Sequence, residues 1–170
     1  MRAVMDKLDH CASIKLDATP AGRPLYLKLG FQMRHVTLFL RKSLKESPET
    51  LSKLPEWSQA TPASQESWLV SLREVSERIH PGLDYSKEIE VTAQYEQGET
   101  VILTEGGQAV GMAVVWLTSG RQGLAANYGN TQVLLLDPSH TDADRFRTLL
   151  MGAEAMVRAR GLEEIIVPVN

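Results

Sequence analysis

The chain has a single cysteine, Cys11, which excludes an internal disulfide and suits a reducing compartment. Its four histidines, His10, His35, His80 and His140, show no His-x-x-x-His spacing, and no cysteine pair exists, so no metal site is expected. Neither a Gly-x-Ser-x-Gly elbow nor a Walker phosphate loop occurs, which removes the usual sequence signs of serine hydrolysis and of nucleoside triphosphate binding. No apolar run approaches the ~20 residues that span a bilayer, so no membrane partner is expected. Arg2, Asp6, Lys7 and Asp9 interrupt the first ten residues, unlike a secretory leader, and a cytoplasmic location is the expectation. The formal charge of −3 offers little attraction for a polyanion, so nucleic acid is not an expected partner.

What is present is enough for a folded domain. The 170 residues (18.8 kDa) are 43% hydrophobic, which can bury one proper core. Charge is unevenly spread: residues 1–42 carry a net +5 and the remainder −8, so the two pieces would attract each other on docking.

Met1, Val4, Met5 and Leu8 recur at helical spacing, and the chain is read as opening inside an amphipathic helix. Ile14 to Leu16 follows as a strand. Residues 21–29 form a two-turn helix: Pro20 and Pro24 sit near its start, where a proline loses no hydrogen bond, and Gly30 follows its end, where a left-handed residue is needed. Leu16, Leu25 and Leu29 are expected to face a core. His35 to Leu40 reads as a strand. Residues 43–61 are polar, contain Pro48 and Pro55, and are taken as a linker.

A second unit spans residues 62–170. Thr61 and Pro62 open a helix whose stripe is Trp68, Leu72, Val75 and Ile79, and Pro81-Gly82 ends it. Ile89 to Tyr95 is either a helix or an extended segment. Thr100 to Thr104 and Ala109 to Leu117 are strands joined by the turn Glu105-Gly106-Gly107. A glycine-rich loop over 118–130 leads to a strand at Gln132 to Leu136. A long helix over 142–160 carries Phe146, Leu149, Leu150, Ala153, Met156 and Val157 on one face, and Glu164 to Val169 is the last strand.

The stretch Asp17-Ala18-Thr19-Pro20, then Leu25-Tyr26, then Leu29-Gly30-Phe31 resembles the acyl-CoA-binding helix motif of the GCN5-related N-acetyltransferase (GNAT) family. The order of elements over 62–170 is similar to the first two-thirds of the same fold. The resemblance implies an α/β (α+β) architecture, a mixed and mostly antiparallel sheet flanked by helices, in a permuted or domain-swapped arrangement, because a late motif lies early in the chain. Met1 and Ala3 align with Met151 and Ala153, and Ile14 and Leu16 with Ile165 and Val167, so the chain reads as the tail of one copy (1–42) joined to the head of another (62–170). Two histories stay open, a middle piece of a tandem protein or a composite domain in which the early motif completes the late head. Exchange of these parts between protomers would give a homodimer.

The activity implied is transfer of an acetyl group from acetyl-CoA to a small-molecule or peptide amine. The alternative is a catalytically silent module of the same fold that binds a ligand or a protein. By resemblance Tyr26 is the general acid toward the departing thiolate, and its other reading is a packed aromatic. Arg23, Ser139, Arg145 and Arg147 are the candidates for the cofactor's phosphates. The turn Asp137 to Arg145 lacks the glycines of the family's pyrophosphate loop and carries Asp137, Asp142 and Asp144 instead, so weak acetyl-CoA binding is expected. Glu88, Glu90 and His80 are candidate bases whose first reading is as surface residues. Trp116 either walls a pocket or fills the core.

Overall fold

The computed structural model describes residues 16, 18, 21–33, 38–45, 53–117 and 127–169. The chain divides into two compact units, Met1–Val36 and Thr37–Asn170. The expected helix over Met1–Leu8, the residues Met1, Ala3 and Ile14 of the aligned pair, and residues 118–126 of the glycine-rich loop lie outside the described residues.

In the first unit, α1 (Arg23–Lys28) forms where the sequence predicts it. Pro24 occupies its first turn, and Gly30, at φ 89°, turns the chain out of it. The Phe31 amide then donates to the Tyr26 carbonyl at 3.1 Å. The expectation that Leu25 faces a core is corrected: Leu25 is 52% exposed, and no residue of α1 is buried. Tyr26 and Leu29 are half-buried instead.

The second unit is a five-stranded sheet in the order β1-β5-β4-β3-β2, built from β1 (Leu38–Ser43), β2 (Gly98–Glu105), β3 (Gln108–Trp116), β4 (Tyr128–Leu136) and β5 (Glu164–Val169). The apolar run of β3 has no polar alternation because helices cover both its faces. On one face, α2 (Pro62–Ile79) and α3 (Lys87–Gln94) bring Trp68, Leu72, Val75 and Ile89 against Ile102, Met112, Val114 and Leu135. On the other, α4 (Ala143–Ala159) sets Leu149, Ala153, Met156 and Val157 against Val101, Ala113, Val115 and Ile165.

Local chemistry explains the boundaries. Thr61 caps α2 by accepting from the Ser64 amide at 3.2 Å, and Asp142 caps α4 by accepting from the Arg145 amide at 2.8 Å. Gly106 and Gly107, both at positive φ, make the tight turn between β2 and β3. Residues 87–94 are helical, which resolves the open reading there; Ile89 and Thr92, three apart, form the buried side. β4 starts at Tyr128, four residues before the expected start.

The two ends of the sheet differ. Along β2, the Ile102 amide donates to the Pro55 carbonyl at 2.9 Å, Glu56 bridges Val101, and Trp57 leans on Trp68 at 6.5 Å between ring centroids. Residues 53–60, read from sequence as part of a linker, thus lie packed along that edge. Arg160 pairs with the buried Glu56 at 2.8 Å and lies 3.6 Å from the buried Glu99. At the far edge β1 pairs antiparallel with β5 over six residue pairs, from Leu38 opposite Val169 to Ser43 opposite Glu164. The early strand therefore covers the edge of the last one within this chain. Every residue of β1 is exposed, so burial does not hold it. Leu44, just beyond, is buried, and Lys42 Nζ lies 2.7 Å from both carboxylate oxygens of Glu154, which is 1% exposed on α4.

Candidate functional site

Parallel strands usually stay paired along their length. Here β4 and β5 pair over Tyr128–Asn130 and Glu164–Ile166 only. Among the described residues, Thr131 to Leu136 then pair with β3 alone, and Val167 to Val169 with β1 alone. The two strands part, and in the gap the edge of β4 has no strand partner among the described residues.

A β-bulge sits where they part. Val114 faces Val133 and Val115 faces Thr131, so Gln132 is the extra residue on β4. Its effect shows in the side chains. A Cβ on Gly129 would meet Val157 of α4 at 2.5 Å, whereas Val133 packs in the opposite core, beneath α2. Without the bulge positions 129 and 133 would share a face. A bulge takes one amide out of the ladder, so at the mouth of the gap it can aim an N–H at a ligand carbonyl.

Thr131, beside the bulge, is 2% exposed, and its hydroxyl has no hydrogen-bond partner. A buried unsatisfied hydroxyl costs about 1–3 kcal/mol. Thr131→Val is therefore expected to raise stability by roughly 1 kcal/mol, read from the urea midpoint at unchanged slope.

The turn after β4 is a 3-10 turn, Pro138–His140, followed by the first turn of α4. Many of its polar groups are paired within it. Asp137 Oδ1 accepts from the Ser139 amide at 2.9 Å and the Ser139 hydroxyl at 2.8 Å, while Oδ2 meets Arg78 at 2.6 Å. Arg145 reaches both oxygens of Glu105, the second at 3.2 Å, and also holds Asp142. His140 lies 3.5 Å from Glu105 and 3.6 Å from Asp137.

The charges respond accordingly. At Asp137 burial opposes ionisation, but the Ser139 donors and Arg78 outweigh it and hold the carboxyl below its ordinary range. The Arg145 amide and guanidinium do the same for Asp142, and the Arg145 guanidinium does so for Glu105. Arg145 itself is pushed up by Glu105 and Asp142. A carboxylate with a depressed folded pKa contributes stability above its unfolded value, about 3.9 for aspartate, and loses it as pH falls through the folded value. Stability is thus expected to fall steeply below about pH 4, and Asp137→Asn should flatten that acid limb in pH-dependent urea melts.

The structure brings Ser139 and Arg145 together in this turn, each engaged by a carboxylate. Arg147 is solvent-exposed beside Asp144 at 3.5 Å. Tyr26 and Arg23 lie in the first unit. Arg23 opens α1 and is exposed, and the Tyr26 ring meets Phe31 edge-on at 5.9 Å. Glu90 pairs with Lys87 at 2.7 Å, the His80 ring with the Tyr85 hydroxyl at 3.0 Å, and Trp116 donates to Thr92 at 3.1 Å. Sequence reasoning missed the bulge and Thr131. The one available sign was Gly129 followed by polar residues inside a strand, which marks irregularity. Among the described residues no group of three or more His, Cys, Asp or Glu side chains could hold a metal ion, and no helix is long and apolar enough to cross a membrane.

No protein family and no curated protein matches the sequence. Among solved structures, the chain is similar to the GCN5-related N-acetyltransferase from Sphaerobacter thermophilus, with 15% identity and a TM-score of 0.55 over 86% of this chain and 46% of that one. It also matches a GNAT family acetyltransferase from Brucella melitensis, solved in complex with acetyl-CoA, with 11% identity and a TM-score of 0.48 over 74% of this chain and 71% of that one. The Sphaerobacter likeness shows the fold: a mixed, mostly antiparallel sheet between helices, the architecture of the GNAT acetyltransferases. The chain spans less than half of that protein.

Proposed function

We propose that this chain is a GNAT-type N-acetyltransferase homologue, handling an acetyl thioester and a small-molecule or peptide amine. The observation that carries the reading is the opened parallel pair with a bulge at its mouth. The edge of β4 in the gap can pair with an extended arm that carries amides, as the pantetheine portion of coenzyme A does, and the bulge amide can meet the thioester carbonyl. In this reading the amine nitrogen attacks that carbonyl, the carbon–sulfur bond breaks, the nitrogen gives its surplus proton to water, and the thiolate takes one from a general acid that water then reprotonates, for which Tyr26 is the candidate by resemblance. The tail-and-head construction belongs to the proposal, with Tyr26 and nearly all of β1 carried by the tail segment and β2 to β5 by the head. So do the cytoplasmic location and a homodimer, for which the exposed edge of β1, with Leu38, Phe39 and Leu40, offers the contact. Light scattering should then give twice the 18.8 kDa chain mass.

A second reading is favoured by the carboxylate-filled turn at 137–145: a catalytically silent module. Thermal melts with acetyl-CoA and with S-acetylpantetheine, which has the arm but no nucleotide, separate the two. A raised midpoint with either compound, followed by amine-dependent thiol release, supports the enzyme. No shift with either leaves the silent module.

A further inference from the structure

At the start of α4 the chain supplies its own anions. A pyrophosphate held there needs free amides, the positive end of the helix and an unpaired cation. In the described turn carboxylates already occupy the helix start and several of its donors. The Ser139 amide is taken by Asp137, the Arg145 amide by Asp142, and the Asp142 amide by the His140 carbonyl at 3.1 Å. Arg145 is clamped between Glu105 and Asp142, and Arg78 is drawn to Asp137. The residues present therefore do not fit the pyrophosphate of acetyl-CoA.

We infer that Glu105, Asp137 and Asp142 are an internal plug in the anion position, and that the sheet unit recognises its thioester without the phosphates. This rests on the reading that β4 holds an acyl-carrying arm. The plug acts on specificity: an incoming phosphate would have to displace carboxylates already neutralised by Arg78 and Arg145 and would meet their repulsion, so the nucleotide half of coenzyme A adds no affinity. The arm, contacting backbone alone, is unaffected by these charges.

Calorimetry on the full chain with S-acetylpantetheine, acetyl-CoA and ADP tests this. The two thioesters are expected to bind within about threefold of each other, and ADP not at all at millimolar concentration. The double variant Glu105→Gln, Asp142→Ser frees the Arg145 guanidinium while serine keeps the helix cap. Acetyl-CoA affinity should then rise at least about tenfold with S-acetylpantetheine unchanged; Glu105→Gln alone, expected to give a smaller rise, serves should the double variant not fold. Acetyl-CoA binding more than tenfold tighter than S-acetylpantetheine in the unaltered chain, or ADP competing with it, overturns the plug. If neither thioester binds, the acyl-carrier reading fails, and ADP alone decides the plug: binding by the unaltered chain refutes it, and binding gained only in the variant sustains it.

Discussion

Replacing Lys42 with methionine is expected to destabilise the second unit by about 3 kcal/mol, near the lower end of what breaking a buried ion pair costs. Glu154 is 1% exposed on the sheet-facing side of α4, and both its oxygens sit 2.7 Å from the Lys42 ammonium. Methionine keeps much of the stem but leaves a buried carboxylate without its cation. Lys42 is itself half-exposed, so water can replace part of the loss, which is why the lower end applies. The double variant Lys42→Met, Glu154→Leu removes both charges and should recover most of the stability. Urea melts of the parent, Lys42→Met, Glu154→Leu and the double variant make a cycle. A single variant within 0.5 kcal/mol of the parent, on the order of a surface change, would show that solvent already serves Glu154.

The second large effect is catalytic. Tyr26→Phe is expected to slow acetyl transfer by about 10²–10⁴-fold, or roughly 3–5 kcal/mol in the barrier. A general acid serves the departing thiolate only when held in place, so its contribution is positional. The substitution leaves the ring and hence the edge contact with Phe31 in place. Circular dichroism should therefore be unchanged. An unaltered rate would reduce Tyr26 to a packing role.

Most helices and strands were legible because their signals are local. Thr61-Pro62 starts α2, Asp142 starts α4, and Gly106-Gly107 turns the hairpin, each through chemistry confined to a few residues. The candidate site was much less legible. The bulge at Gln132 exists only as a mismatch between β3 and β4, and neither strand carries it alone. Arg145 reads as a phosphate ligand until Glu105, forty positions away, is seen to hold it. Glu56, Glu99 and Glu154 look like surface charges in the sequence, yet all three are buried, because each finds a cation or donor from a distant segment. Residues 53–60 look like a linker because the segment is short, polar and broken by Pro55; they attach through backbone pairing and through Leu54 and Trp57, which pack against the two cores.

The pairing of β1 with β5 also sets a timetable for the chain while it is being made. About 120 residues separate the two strands, so at 5–20 residues per second roughly 6–24 s pass between the emergence of Ser43 and that of Glu164. Throughout that interval the segment Leu38-Phe39-Leu40 lacks the strand it pairs with in the folded chain. The helices and the β2–β3–β4 meander, whose partners are near in sequence, can assemble in the meantime. A nascent chain stalled before residue 164 would thus hold most of its sheet while still carrying a sticky, unpaired strand, the state in which a chaperone or a neighbouring ribosome's product could capture it.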